Sequence, residues 1–205
     1  MQDLPDLAVD ALACRRGGRL LFKQISFTLA AGERIWVRGP NGTGKSSLLR
    51  VLAGLLPPAS GHIRLDDADV LAERRWWAEQ LHYVGHLNAA KPALTGRQQL
   101  GLFARAWNVS VAEQDAALAR LGLAVAADRP IRTFSAGQQR RLALARLLLA
   151  PRPIWLLDEP ATALDAAGAS LVDALLDEHL ALGGRALVVS HTPLAGATSQ
   201  LGLGS

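Results

Sequence analysis

Residues Gly39–Ser46 read GPNGTGKS: a glycine, four further residues, a second glycine, a lysine and a serine. This is the spacing of a phosphate-binding loop. Its glycines let the backbone curl until successive N–H groups converge on a polyphosphate. The lysine adds a point charge at the outer phosphates, and the serine hydroxyl is a hard oxygen ligand for Mg²⁺. The residues expected to bind phosphate are therefore Gly39, Pro40, Asn41, Gly42, Thr43, Gly44, Lys45, Ser46 and Ser47. A second group with chemistry lies far downstream, where the apolar run Ile154-Trp155-Leu156-Leu157 ends in Asp158 and Glu159. Asp158 falls where phosphate-loop enzymes hold Mg²⁺, and Glu159, one residue on, is placed to take a proton from an attacking water.

Such residues need rigid supports. Ile35-Trp36-Val37 reads as a buried strand entering the loop, and Ser46 to Ala53 as a helix leaving it, stopped by Gly54. A loop between a strand end and a helix N-terminus adds the helix dipole to its own donors. Ala186 to Ser190 is another apolar strand, followed by His191.

Between these motifs lies Phe134-Ser135-Ala136-Gly137-Gln138-Gln139-Arg140-Arg141, and just after the acidic pair comes Ala161-Thr162-Ala163-Leu164-Asp165. The first resembles the signature motif of ABC-type ATPases and the second their D-loop, while His191 resembles their switch histidine. The four motifs, in order, cover nearly the whole chain. The resemblance implies an α/β phosphate-loop NTPase core with a mostly parallel sheet, an N-terminal antiparallel strand group and an inserted helical subdomain. It also implies ATP and Mg²⁺ as cofactors, with Glu159, Lys45 and His191 as catalytic residues. In the family the signature reaches a nucleotide held by a second copy. Ser135, Ala136, Gly137 and Gln138, with Asp165 of the D-loop, are thus expected to act across a homodimer that ATP holds together.

The pattern along the chain fits one such domain, with a core at 1–86 and 151–205 and helices over about 87–150. Residues 7–13 and 20–29 form a hairpin around Gly17-Gly18. His62–Leu65 reads as a short edge strand, Leu71–Gln80 as helical or irregular and Leu81–Gly85 as a core strand. Thr95 caps a helix reaching Trp107, and Ser110 with Glu113 forms a capping box for a helix through Leu121. The signature opens a helix from Ala136 to Leu149, and Leu171 to Leu182 is a further helix stopped by Gly183-Gly184. Only a short tail is expected after His191.

The chain has 205 residues, of which 50% are hydrophobic, and a net charge of +4, which allows one domain with a sizeable core. No run of about 18 apolar residues occurs, so no membrane span is expected. The acidic start, Met1 to Asp6, is no basic-then-apolar leader, and the protein is expected to stay in the cytosol. Cys14 is the single cysteine and reads as a core thiol. The arginines, Arg140 and Arg141 among them, are scattered, with a solvated surface as the default, and no motif supports nucleic-acid binding.

Two positions depart from the family. His86 in Tyr83-Val84-Gly85-His86 stands where most members place a glutamine that ligates Mg²⁺ and senses the γ-phosphate. Imidazole can serve as a ligand there, or His86 is a surface histidine. The stretch Cys14-Arg15-Arg16-Gly17 lacks the aromatic ring that many members stack on adenine, and the Arg16 plane can stack instead. The site as expected thus adds His86 and Arg16 to the nucleotide contacts, with Ser46, Asp158 and His86 as metal ligands.

Tyr83-Val84-Gly85-His86, then Lys91-Pro92-Ala93-Leu94-Thr95, with the small size, resemble the ATP-binding subunit of the haem exporter of bacterial cytochrome c maturation. That implies a multi-spanning permease subunit as partner, at the cytoplasmic face of the inner membrane. Other readings are an ABC ATPase for another solute and a nucleotide-gated switch with low turnover. Trp76 and Trp77 read either as partly buried core or as part of a docking groove for that partner.

Overall fold

The apolar positions at either side of Gly17-Gly18 build a long hairpin, β1 (Leu7–Arg16) and β2 (Arg19–Leu29), paired antiparallel. Both turn glycines have positive φ, 55° and 77°, which costs a glycine nothing. In the computed structural model of the chain, residues 6–66, 68–193 and 196–204 are described. The acidic start through Pro5 lies outside them.

Two units divide the chain. One runs to Gly85 and resumes over Arg152–Glu159 and from Leu176 onward; the other comprises His86–Pro151 and Pro160–Leu175.

In the first unit, β3 (Arg34–Arg38) leads through the glycine loop to α1 (Lys45–Leu52). Then come β4 (Ser60–Leu65), β5 (Ala68–Asp69), α2 (Arg74–Gln80) and β6 (Leu81–Val84). After the second unit's helices the chain returns as β7 (Ile154–Asp158), β8 (Arg185–Val189) and β9 (Ser199–Gly202). The strands form an antiparallel sheet in the order β2-β1-β4-β5 and a sheet in the order β6-β7-β8-β3-β9 whose pairs are all parallel. β7 and β8 are buried along their whole length, as expected for the continuous apolar runs of a covered parallel sheet. Helix α1 touches β1 of the first sheet and β7 and β8 of the second, and its Leu48, Leu49, Val51 and Leu52 have no exposed surface. On the far side of β7, His179 stacks on Trp155 with ring centroids 4.0 Å apart. A Cβ at Gly184 would lie 2.2 Å from the His179 ring, so only glycine admits this packing.

The second unit carries α3 (Gly96–Ala106), α4 (Val111–Arg120) and α5 (Ala136–Ala145). Each starts at a reciprocal capping box, made by Thr95 with Gln98, Ser110 with Glu113 and Ser135 with Gln138. The box satisfies two N-terminal backbone donors that the helix itself leaves open. The last helix, α6 (Ala166–Ala181), begins in this unit and ends in the other.

Several expectations are corrected. The signature helix stops at Ala145 and tightens into a 3₁₀ turn over Arg146–Leu148, because Pro151 and Pro153 follow and an α-helix cannot run on through them. His62–Leu65 is not an edge, since β5 pairs with β4 on its outer side. The short tail expected after His191 carries a strand that was not expected there: Ser199–Gly202 pairs with β3. Trp77 is core, 1% exposed, with its indole N–H donating to Leu52 O at 2.7 Å, so it offers nothing to a docking surface. Arg140 is 2% exposed rather than solvated. Cys14 is fully buried, as read, and burial pushes its thiol pKa up.

Candidate functional site

The glycine loop owes its shape to three residues in left-handed or near-extended positive φ: Gly39 at 149°, Gly42 at 83° and Gly44 at 100°. At two of them a side chain would crowd its neighbours. A Cβ on Gly39 would lie 2.3 Å from Leu203 O, and one on Gly44 would lie 3.0 Å from the Phe22 ring. The loop also closes on itself, with the Thr43 hydroxyl donating to Pro40 O at 3.0 Å. Gly44 is the N-cap of α1 and makes no side-chain cap, so no N-cap side chain competes for the first-turn N–H groups of α1.

Lys45 is 7% exposed, and its ammonium donates to Gly39 O at 2.7 Å and Pro40 O at 3.0 Å. An ammonium has three donors, and a phosphate oxygen at the loop can take the one these carbonyls leave. Ser46 is half-buried and Ser47 buried. The cradle and its buried cation fit a polyphosphate.

The acidic pair ends β7. Asp158 is 1% exposed, opposite Val189 of β8. Glu159 turns into left-handed backbone, φ 52°, and its N–H donates to Val189 O at 2.9 Å. A non-glycine residue held there stores strain that its surroundings must oppose, a pattern common at functional sites. His191 meets this carboxylate twice: its backbone N–H is 3.4 Å from Oε2 and its Nε2 is 3.5 Å from Oε1. The Ser46 hydroxyl and the Asp158 carboxylate are hard oxygen donors of the kind Mg²⁺ selects.

In the second unit the signature is built as a helix N-terminus. The Ser135 hydroxyl accepts from the Gln138 N–H at 3.1 Å, and the Gln138 side chain accepts from the Ser135 N–H at 3.0 Å. A Cβ on Gly137 would lie 2.9 Å from Ala163 O, so glycine there lets the D-loop approach. Arg141 pairs with Asp165 at 3.0 Å. The Gly168 N–H first, and then Arg141, hold the Asp165 carboxyl below the usual carboxylate range. Ser135, Gly137, Gln138, Arg141 and Asp165 line an open cavity of about 520 Å³. Arg140 donates to Pro160 O at 3.0 Å and to Asn88 Oδ1 at 3.2 Å.

The structure thus brings Glu159 and His191 together, and joins the signature residues to Asp165. Arg140 and Arg141 were not among the expected site residues. The signal was available for Arg141, which lies four residues after Gly137 and so on the same helix face. Arg16 is exposed at the end of β1, opposite Arg19. His86 is exposed and is the first residue of the second unit.

The ABC transporter family model matches residues 22–162. Curated relatives are similar over most of their length. The cytochrome c biogenesis ATP-binding export protein CcmA of Cupriavidus pinatubonensis is 47% identical over 98% of this chain and 89% of its own. That of Methylococcus capsulatus is 46% identical over 95% and 94%, and that of Rhodopseudomonas palustris 43% identical over 95% and 96%. Among solved structures, one described as the ATP-binding subunit of an ABC transporter matches with TM-score 0.85 and 24% identity over 96% of this chain and 85% of its own. A bacterial Atm1-family ABC exporter with ATP bound matches with TM-score 0.87 and 24% identity over the whole chain and 38% of its own. The chain belongs to the ABC transporter family of ATP-binding proteins, within the group of the cytochrome c biogenesis ATP-binding export proteins.

Proposed function

We propose that this chain is the ATP-hydrolysing subunit of the ABC transporter that exports haem for c-type cytochrome biogenesis. The observation that carries the hydrolytic reading is the Glu159 carboxylate, aimed by the Val189 bond and met by His191 at the end of β7. The similarity to cytochrome c biogenesis ATP-binding export proteins supports the pathway.

In this reading the loop N–H groups and Lys45 bind the β- and γ-phosphates, so that the γ-phosphorus faces the end of β7. Glu159 takes a proton from the attacking water, and His191 orients Glu159. Mg²⁺, held through Ser46 and Asp158, would neutralise charge on the phosphate oxygens. His86 is proposed as a γ-phosphate and Mg²⁺ contact where the chain crosses from one unit to the other, and Arg16 as the plane on which adenine rests.

Two copies are proposed to enclose ATP, with Ser135, Ala136, Gly137 and Gln138 of one serving the nucleotide of the other. A helix N-terminus beside an open cavity is an anion site, which supports that arrangement. No described helix is long and apolar enough to cross a membrane. A multi-spanning permease is the proposed partner, through which the chain sits at the cytoplasmic face of the inner membrane; membership of the ABC transporter family and the similarity to export proteins support this.

The test is made in cells. A strain carrying Lys45→Ala should fail to mature c-type cytochromes while its other haem proteins stay normal. Normal c-type cytochromes there would move the cargo to another solute. Co-expression with the permease should shift the chain from the cytosolic to the membrane fraction.

A further inference from the structure

Trp36 lies on β3 between Ile35 and Val37, both buried on the opposite face of the sheet, and is itself half-buried. Its indole N–H does not serve its own strand. It donates to Ser190 O at 2.9 Å. β3 and β8 are parallel with Trp36 opposite Val188, so the ring leans two residues forward along β8 to reach the turn beyond its end. The Arg38 guanidinium lies over the ring, 5.9 Å from its centroid. Strand and cation together hold the donor in place.

The Ser190 carbonyl and the His191 N–H belong to one peptide group. A trans peptide is planar and its C=O and N–H point in opposite directions. Fixing the carbonyl toward Trp36 therefore fixes the N–H toward the Glu159 carboxylate, 3.4 Å away. The rest of the turn is tied locally, by the Thr192 N–H donating to the Ser190 hydroxyl at 3.2 Å. That bond does not engage the carbonyl, and the Trp36 bond does.

We propose that Trp36 is a positioning residue for ATP hydrolysis: its indole N–H sets the plane of the Ser190–His191 peptide and thereby the orientation of Glu159. The role rests on the assignment of Glu159 and His191 under Proposed function. Trp36 touches neither nucleotide nor water in it, and acts on turnover rather than on affinity.

The experiment compares two substitutions in the full chain. Trp36→Phe keeps a ring for Arg38 and removes the donor. Trp36→Gln keeps a side-chain N–H and removes the ring. Turnover of Trp36→Phe should fall about tenfold, short of the roughly 10²-fold that a misplacement of about 1 Å can cost. Its KM, its affinity for a fluorescent ATP analogue and its Tm should stay near those of the unsubstituted chain. Trp36→Gln should retain most of the turnover. Unchanged kcat in Trp36→Phe overturns the proposal, and so does an equal loss in both variants. Glu159→Gln is run beside them. If it too turns over normally, the assignment of Glu159 has failed, not the role of Trp36 alone.

Discussion

Gly39 meets Leu203 so closely that a Cβ on the glycine would stand 2.3 Å from the leucine's carbonyl oxygen. Leu203 in turn donates its N–H to Arg38 O at 2.9 Å and is 3% exposed. The start of the phosphate loop is thus seated on the segment that follows β9. Gly39→Ala should displace one or the other. Strain of this kind costs about 1–3 kcal/mol, so affinity for a fluorescent ATP analogue should fall about 5- to 150-fold. Binding at the unsubstituted level would show that the contact relaxes without cost.

Glu159→Gln keeps the shape of the carboxylate and its backbone bond to Val189, and cannot accept a proton. ATP binding should persist while turnover drops about 10²–10⁴-fold, the usual worth of a general base. The variant should accumulate as an ATP-bound dimer, read by light scattering with and without ATP. Ordinary turnover would remove Glu159 from this role.

A Lys45→Ala chain mixed with a Ser135→Arg chain tests the composite site. Lys45 is proposed to hold the nucleotide of its own copy, whereas Ser135 caps the helix proposed to face the partner's. In the mixed dimer one site carries both lesions and the other none, so activity should return in part. Mixed dimers that form and stay inactive would contradict a site shared between copies.

His179 predicts a dependence on pH. Burial against Trp155 lowers its pKa from 6.5 to about 4, and its Nε2 is 3.1 Å from Arg185 O. The unfolded chain binds a proton near 6.5, which the folded chain resists until about 4. Stability is therefore full above that window and is lost as pH falls through it. After allowance for solvent screening, the loss is roughly 2 kcal/mol. Chemical denaturation at several pH values should show this slope, and His179→Leu should flatten it between those limits. An equal slope in both proteins would assign the effect to other groups.

Much of this chain is legible in its sequence. The glycine loop, the acidic strand end and the Ser110–Glu113 capping box are local: each depends on residue types a few positions apart, and backbone sterics act over that range. The long apolar runs of β7 and β8 likewise announce a covered parallel sheet. The tertiary structure decided what depends on partners distant in sequence. Ser199–Gly202 has no strand pattern of its own and becomes β9 because β3 offers it a free edge. Arg140 reads as a surface charge until Pro160 O and Asn88 receive its donors. The turn of Glu159 into left-handed backbone, and its meeting with His191, depend on β8 lying beside β7. Trp36 reads only as a strand residue until the parallel register carries its ring to Ser190, because spacing along a chain does not state which carbonyl a side chain will find across a sheet.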